Sequence, residues 1–296
     1  MSLFSLLGAL EIGLIFSLVA LGVFISFRLL RFPDLTVDGS FPLGGAVCAT
    51  LIASGTDPFS ATVIATIAGA AAGLVTGWLN VKLKIMDLLA SILMMIALYS
   101  INLRIMGKPN VPLITEPTVF TILQPGWISD YVARPLILIV IVILCKLALD
   151  WFFATQTGLA VRATGSNGRM ARAQGVNTGR MILGGMALSN ALVALAGALF
   201  AQTQGGSDIS MGIGTIVIGL AAVIVGESIL PSRKLVLATL AVIIGAIVYR
   251  FFIALALNSD FIGLKAQDLN LVTAVLVTIA LVIPMLKRRL VGKKGR

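Results

Sequence analysis

A short run of carboxylates and hydroxyls interrupts the apolar N-terminal part of the chain. It consists of Asp34, Thr36, Asp38 and Ser40. Oxygen atoms of these types accept hydrogen bonds, so the run can bind an ammonium group or water. Asp34 and Asp38 are equally typical of helix caps. The sequence therefore leaves two interpretations open, a solute pathway and a pair of caps.

The apolar segment that follows this run, residues 41–53, is short and contains Pro42, Gly44 and Gly45. Membrane segments broken by Pro and Gly often mark a translocation site, because unpaired backbone groups are tolerated only beside a cavity. We therefore predict a broken segment at the pathway. Ser189 and Asn190, in a later apolar segment, either line the same pathway or form hydrogen bonds between helices.

Several kinds of chemistry lack their usual residues. The chain has no GxxxxGK[ST] loop, which predicts that it does not hydrolyse ATP itself. It has no histidine, and its two cysteines lie far apart in apolar segments, which argues against a metal site. Acids within the apolar segments are few, and none is expected to recur in matching positions of two halves, as they would in repeat-built ion-coupled carriers.

Residues 158–179 form a polar, basic segment in an otherwise apolar chain. The segment reads GLAVRATGSNGRMARAQGVNTG. Asn167 is a candidate N-cap for a short helix over residues 168–174, and Gly175 is a candidate stop. The arginines predict a cytoplasmic position. A short preformed helix there suits docking to a soluble partner, and the alternative is an ordinary basic loop.

The composition indicates which elements position these residues. The chain has 296 residues, of which 58% are hydrophobic and 11% are charged, whereas a soluble domain carries about 25% charged residues. Because backbone groups must be paired in lipid, the apolar segments are predicted to be helices. The sequence thus predicts an all-α polytopic membrane protein with a single domain, 1–296. Nine spans are predicted: 3–27, 41–53, 59–79, 88–106, 135–153, 181–201, 213–230, 235–257 and 269–286.

Charge and small residues refine this arrangement. Most of the 22 Lys and Arg residues fall on one side if the N-terminus is outside and the C-terminus is cytoplasmic. The longest outer segment, 107–134, is rich in proline and is predicted to be an ordered loop. Small residues predict close helix packing, either within one subunit or between two. They are Gly69, Gly73, Gly77, Ala194, Gly197 and Ala198.

The order of small and basic residues in 158–179 resembles the cytoplasmic coupling loop of a known family. The family comprises the permease subunits of type II-like ABC importers, which include branched-chain amino acid, ribose and nucleoside permeases. The matching residues are Gly158, Arg162, Ala163, Gly165, Asn167, Ala171 and Gly175. Residues 188–205 and 13–47 are similar to further parts of the same family. The motif RFPDLTVDGSF is similar to a subgroup described as tryptophan/tyrosine transport permeases.

The resemblance implies the partners. Such permeases work as a pair, here expected to be a homodimer in the bacterial cytoplasmic (inner) membrane. Two cytoplasmic ATPases bind ATP and Mg, and an extracytoplasmic binding protein or lipoprotein delivers the solute. This chain is then a transport subunit without a cofactor or a nucleic-acid partner. The expected solute is a small organic molecule, an amino acid, and the subgroup points to an aromatic one. An ion-coupled secondary transporter is the alternative. Coupling to the ATPase is assigned to Arg162, Gly165, Asn167, Arg169, Ala171, Arg172 and Gly175.

Overall fold

The described part of the protein is a bundle of apolar helices with one small pair of strands. The computed structural model describes residues 3–124, 130–232, 234–257, 275 and 278. The helices are α1 (Leu3–Val23), α2 (Val37–Ala53), α3 (Pro58–Val81), α4 (Asp87–Met106), α5 (Val119–Leu123), α6 (Asp130–Ala154), α7 (Gln156–Ser166), α8 (Gly168–Ala173), α9 (Thr178–Gln204), α10 (Thr215–Ile229) and α11 (Leu235–Leu257). A π-helical turn, Phe24–Leu29, extends α1. Strands β1 (Asn110–Pro112) and β2 (Gly206–Asp208) pair antiparallel.

Six of the described helices are long and apolar enough to cross a membrane. They are α1 with its π-helical turn, α3, α4, α6, α9 and α11. The apolar helices α2 and α10 are shorter. The first eight predicted spans each fall on one of these helices, which confirms the all-α polytopic class. Within the ninth, 269–286, the structure describes only residues 275 and 278, so the number of spans and the orientation of the termini remain predictions.

The break predicted within the second span lies before it instead. Helix α2 runs without interruption through Pro42, and the non-helical stretch is residues 30–36. Pro42 removes only one backbone donor, which leaves the rest of the helix paired. Arg31 has a left-handed backbone conformation, with φ of 57°, which turns the chain from the end of the π-helical turn towards α2. The expectation of a break within 41–53 is therefore wrong, and the break lies at 30–36.

An internal repeat relates the start of the chain to its later part. Residues 18–21 and 192–195 both read LVAL, and each precedes an aspartate, Asp34 or Asp208, by the same number of residues. Both carboxylates accept the backbone N–H two residues on: Thr36 N donates to Asp34 at 3.0 Å and Ser210 N donates to Asp208 at 2.8 Å. These turns lead into the two short helices, α2 and α10. Asp34 and Asp208 thus recur in matching positions of the two halves, although both lie outside the predicted spans.

The packing of the helices follows this repeat. Helices α1 and α9 cross antiparallel: Gly22 lies against Ser189, while the Phe16 ring, nearer the start of α1, meets the Phe200 ring near the end of α9 at 6.2 Å. Helix α3 lies along α9, and its counterpart α11 lies along α1. The two halves thus run in opposite directions, which is the arrangement called an inverted repeat in transporters.

Helices α2 and α9 approach so closely that their backbones touch. A Cβ atom added at Gly44 would overlap the carbonyl oxygen of Ala194, and one added at Gly197 would overlap that of Phe41. Glycine is required at both positions because any side chain would push the helices apart. Ala198 lies in the same contact and is fully buried.

The glycine stripe of α3 faces α9 of the same chain. Gly69 and Gly73 lie against the backbone of Asn190 and Met186, and Gly77 lies against Leu183. The sequence left open whether the stripe packs within one subunit or between two. The structure places it within the subunit, where it brings α3 against the polar residues of α9.

The described part of segment 107–134, which the sequence analysis predicts to be outside, rests on the end of α9. Strand β1 pairs with β2, Leu113 N donates to the Gly205 carbonyl at 2.7 Å, and Val119 N donates to Gln202 Oε1 at 2.9 Å. Residues 107–124 thus contain a strand and a short helix held by hydrogen bonds.

The Ser210 hydroxyl and backbone N–H stabilise the carboxylate of Asp208 and hold its pKa below the usual value.

Candidate functional site: the α7–α8 loop and the half-helix junction

Residues 155–177, here called the α7–α8 loop, contain two capped helices. The Thr155 hydroxyl accepts from Gly158 N at 3.3 Å and caps α7. Asn167 Oδ1 accepts from Met170 N at 3.1 Å and caps α8. Gly175 ends the unit with a φ of 83°, which favours glycine. The helix predicted at 168–174, with its cap and stop, is confirmed. Helix α7 was missed, because its glycines lower helix propensity and its cap lies before the segment.

The faces of this loop divide the predicted coupling residues into two groups. Ala171 is buried, with 5% of its surface exposed, and the Arg172 guanidinium donates to the Thr178 hydroxyl at 3.0 Å. Both residues therefore hold the loop to the protein. Arg169 and Met170 are exposed instead. Met170 was missed by the sequence analysis, although a large apolar residue in a basic, polar segment is the expected signal of an interaction surface.

Gly165 connects the α7–α8 loop to the start of the polar run. A Cβ atom at this position would overlap the carbonyl oxygen of Leu29 and crowd Leu30. Leu29 is the last residue of the π-helical turn, and residues 30–36 run from there directly into α2. A displacement of α7 therefore acts on the connection between α1 and α2 through backbone contact, without a long side chain between them.

A basic cavity lies beside this contact. It has a volume of about 420 Å³, and its lining includes Arg28, Arg31, Arg162 and Ser166. Arg28 also pairs with Glu227 of α10, with Nε and Oε1 2.7 Å apart. Two of the predicted coupling residues, Arg162 and Gly165, thus lie at or beside a positively charged recess formed with the end of α1. Such a recess suits acidic groups.

The polar run forms a closed network at the start of α2, which we call the half-helix junction (residues 34–40 and 209–216). Asp34, only 2% exposed, accepts from Asn190 Nδ2 at 2.8 Å, and the Ser40 hydroxyl donates to Asn190 Oδ1 at 2.7 Å. The hydroxyls of Thr36 and Thr76 are 2.9 Å apart. These side chains join α2, α3 and α9, and their donors and acceptors bind one another.

The remaining pathway candidates are also placed by the structure. The Ser189 hydroxyl donates to the carbonyl of Gly22 at 2.7 Å and joins α9 to α1. Asp38 lies in the first turn of α2 and accepts from Gly214 N at 3.3 Å and Ile216 N at 2.7 Å, at the start of α10. One carboxylate thus serves the positive N-terminal ends of two short helices. The sequence left open whether Asp38 lines a pathway or caps a helix. The structure shows Asp38 as a cap, but of α10, which is distant in sequence.

Replacing Asn190 by leucine is expected to destabilise the protein strongly. Leucine has a similar volume but removes the donor to Oδ2 of the buried Asp34 carboxylate and the acceptor of the Ser40 hydroxyl, at a cost of about 2–4 kcal/mol. Thermal unfolding of the purified protein in detergent measures this loss. In the double variant Asp34→Leu, Asn190→Leu the loss should be smaller than in Asn190→Leu, because both polar partners are then absent. Wild-type melting of Asn190→Leu would contradict the network.

Comparison with known proteins agrees with this architecture. Residues 5–285 match the family described as "Branched-chain amino acid transport system / permease component". A tyrosine transport system permease protein of Clostridioides difficile is 41% identical over 265 residues, which cover 90% of this chain and 86% of that protein. The ribose import permease protein RbsC of Escherichia coli is 26% identical over 259 residues, covering 84% and 76%. No solved structure gave a significant match.

The family and the helices together confirm the resemblance seen in the sequence. Six apolar helices and the family match make this chain a multi-pass protein of the inner membrane. Permeases of ABC transport systems carry no ATPase site of their own. The chain belongs to the branched-chain amino acid transport system permease family, as the permease component of an ABC transport system for a small solute.

Proposed function

We propose that this chain is the membrane subunit of an ATP-driven importer for an aromatic amino acid. The observation that carries the proposal is the contact of Gly165 with Leu29 and Leu30. This contact joins a capped helical loop on one face of the protein to the chain segment that leads into the half-helix junction. A partner that moves the loop therefore moves the start of α2, which is the kind of rigid-body coupling that switches access in transporters.

The partner at the α7–α8 loop is a cytoplasmic ATPase that binds ATP and Mg. Two permease chains form a homodimer with two ATPases, and the exposed residues Arg169 and Met170 contact the ATPase. Support comes from the exposed apolar side chain of Met170, 63% accessible, on a helix that its own caps already hold in place. A preformed helix loses little conformational entropy on docking.

An extracytoplasmic binding protein delivers the solute to the opposite face. The hydrogen-bonded outer segment 107–124 supports this assignment, because it offers an ordered surface above the end of α9. The solute class follows from the relative in Clostridioides difficile, whose name gives tyrosine as its solute. The nine-span topology, with the N-terminus outside and the C-terminus in the cytoplasm, belongs to the same proposal.

Reconstitution tests the function. Proteoliposomes that contain the permease, its ATPase and its binding protein should accumulate L-tyrosine only with ATP on the ATPase side. The permease alone should not accumulate L-tyrosine under a proton or sodium gradient. Uptake by the isolated permease under such a gradient would favour the ion-coupled secondary transporter instead.

The topology predicts which exposed positions react from each side of the membrane. In intact cells, Asn110→Cys in β1 should react with a membrane-impermeant maleimide. Ser166→Cys at the end of α7 should react only after the membrane is opened, because the arginines of the α7–α8 loop favour the cytoplasm. Both positions are exposed in the structure, so burial would not explain a difference. Labelling of Ser166→Cys in intact cells would overturn the proposed orientation.

A further inference from the structure

A cavity opens beside the half-helix junction, between α2, α4 and the residues that precede α10. Its volume is about 500 Å³, and its lining includes Asp38, Met95, Tyr99, Ser100, Asn102 and Ile213. This volume lies in the range of pockets that hold small organic molecules. The closed network of Asp34, Ser40 and Asn190 is separate from the cavity lining.

The lining combines one negative charge with an apolar wall. Asp38 is the only charged residue among those described as lining the cavity, and no Lys or Arg is among them. Pro42, Met95 and Ile213 supply apolar surface, and Tyr99 is 57% exposed as a residue. An aromatic ring with a neighbouring thioether and aliphatic side chains offers favourable contacts to a second ring.

Asn102 joins α4 to the first turn of α2 at the cavity wall. Its amide nitrogen donates to the carbonyl of Gly39 at 3.1 Å, which fixes which end of the amide is the oxygen. Among the residues that the structure describes, Oδ1 of Asn102 accepts no hydrogen bond, although the residue is fully buried. Because no surface of Asn102 is exposed, the residue shapes the cavity wall through its bond to Gly39 and is not a contact for the solute.

We propose that this cavity is a transit site for a solute that carries an ammonium group and an aromatic side chain. The proposal rests on the function proposed above and adds where and by which groups the membrane subunit holds the solute. The ammonium group lies at the carboxylate of Asp38, and the ring lies between Tyr99 and Met95. The hydroxyl of Ser100, which also lines the cavity, is a donor for the carboxylate of an amino acid.

The geometry of the site predicts a low affinity for the solute. The carboxylate of Asp38 already accepts two backbone N–H groups at the positive end of α10, so its attraction for an ammonium group is reduced. We expect a Kd on the order of 10 mM for a simple aromatic amine. A weak transit site allows release to the other side, while selection belongs to the binding protein.

Protection of an introduced cysteine tests the site directly. Full-length permease with Ser100→Cys, in lipid nanodiscs, is labelled with the small uncharged reagent methyl methanethiosulfonate. At about 40 mM, L-phenylalanine and phenethylamine should slow labelling about fivefold. The isosteric acid 3-phenylpropionate lacks the ammonium group and should give no protection. The exposed loop position Ser54→Cys is the matched control, and its labelling should not respond to any of the three compounds.

Two variants separate the aromatic from the ionic contact. Tyr99→Ala should abolish protection by L-phenylalanine, and Tyr99→Phe should retain it. Asp38→Asn should remove the difference between phenethylamine and 3-phenylpropionate. If this variant fails to fold because α10 loses its cap, the comparison of the three compounds on Ser100→Cys still tests the carboxylate. Equal protection by all three compounds, or by none, would overturn the proposal.

Failure of the transit-site proposal can be distinguished from failure of the proposed importer function. Protection is measured on the permease alone, whereas the function is measured as ATP-driven uptake by the complete assembly. Uptake of L-tyrosine without protection at Ser100→Cys refutes the transit site and leaves the importer intact. Protection without any ATP-driven uptake refutes the importer, and the cavity then belongs to another kind of carrier.

Discussion

Met170→Glu is expected to abolish recovery of the ATPase with the permease. Met170 is 63% exposed on the capped helix α8, so the substitution leaves the fold of the loop unchanged. Docking would bury an unpaired carboxylate, at a cost of about 2–3 kcal/mol. That cost weakens the complex by about 30- to 150-fold. Affinity purification of the tagged permease from detergent extracts, followed by quantification of the ATPase, measures the effect.

The control for this experiment keeps the apolar contact. Met170→Leu has nearly the same volume, and the ATPase should be recovered as with the wild type. Ala171→Glu is less informative, because Ala171 is buried against its own chain and the substitution would disturb the loop itself. Undiminished recovery with Met170→Glu would remove α8 from the contact with the ATPase.

The second large effect is expected from the smallest possible change at Gly44. In Gly44→Ala, the new methyl group would overlap the carbonyl oxygen of Ala194. Backbone atoms cannot rotate away as side chains do, so α2 and α9 must separate. Overpacking of this kind costs about 3 kcal/mol or more. We expect a large drop in the melting temperature of the detergent-solubilised protein, measured by size-exclusion chromatography after heating.

Gly184→Ala is the matched control for this prediction. Gly184 lies in α9, and a Cβ atom there would meet no neighbouring atom within 4 Å. The exchange should leave stability unchanged or raise it slightly, because alanine has the higher helix propensity. Equal melting temperatures for Gly44→Ala and the wild type would mean that α2 and α9 are farther apart than the structure shows.

Local signals allowed correct predictions of elements. Apolar segments of sufficient length marked the helices, and the cap at Asn167 with the stop at Gly175 marked α8, because both signals lie within a few residues of the element they define. The hydrogen bond from Ile216 N to Asp38, in contrast, joins residues that are far apart in sequence. Nothing near Asp38 in sequence indicates α10, so the cap of a distant helix could not be read from spacing.

Prediction of the candidate site was limited in the same way, because its contacts join residues distant in sequence. The types of the polar residues were recognised correctly, but their division between a closed network and a cavity wall depends on helix rotation. Asp34 and Asp38 lie four residues apart, yet one pairs with Asn190 and the other faces α10 and the cavity. Tyr99 and Asn102 were missed, because α4 is apolar in pattern and acquires its role only beside α2 and the residues before α10.

The inverted repeat also has a consequence for how the chain enters the membrane. The two halves cross the membrane in opposite directions, so the translocation machinery must insert them with opposite orientations. Their turns at Asp34 and Asp208 nevertheless have the same hydrogen bond. Arg28 and Arg31 precede the first turn, while the equivalent positions before the second hold Gln202 and Gly205. Positive charge is thus present in one copy and missing from the other. The two halves share a turn motif but differ in positive charge, so the orientation of each in the membrane depends on a separate signal.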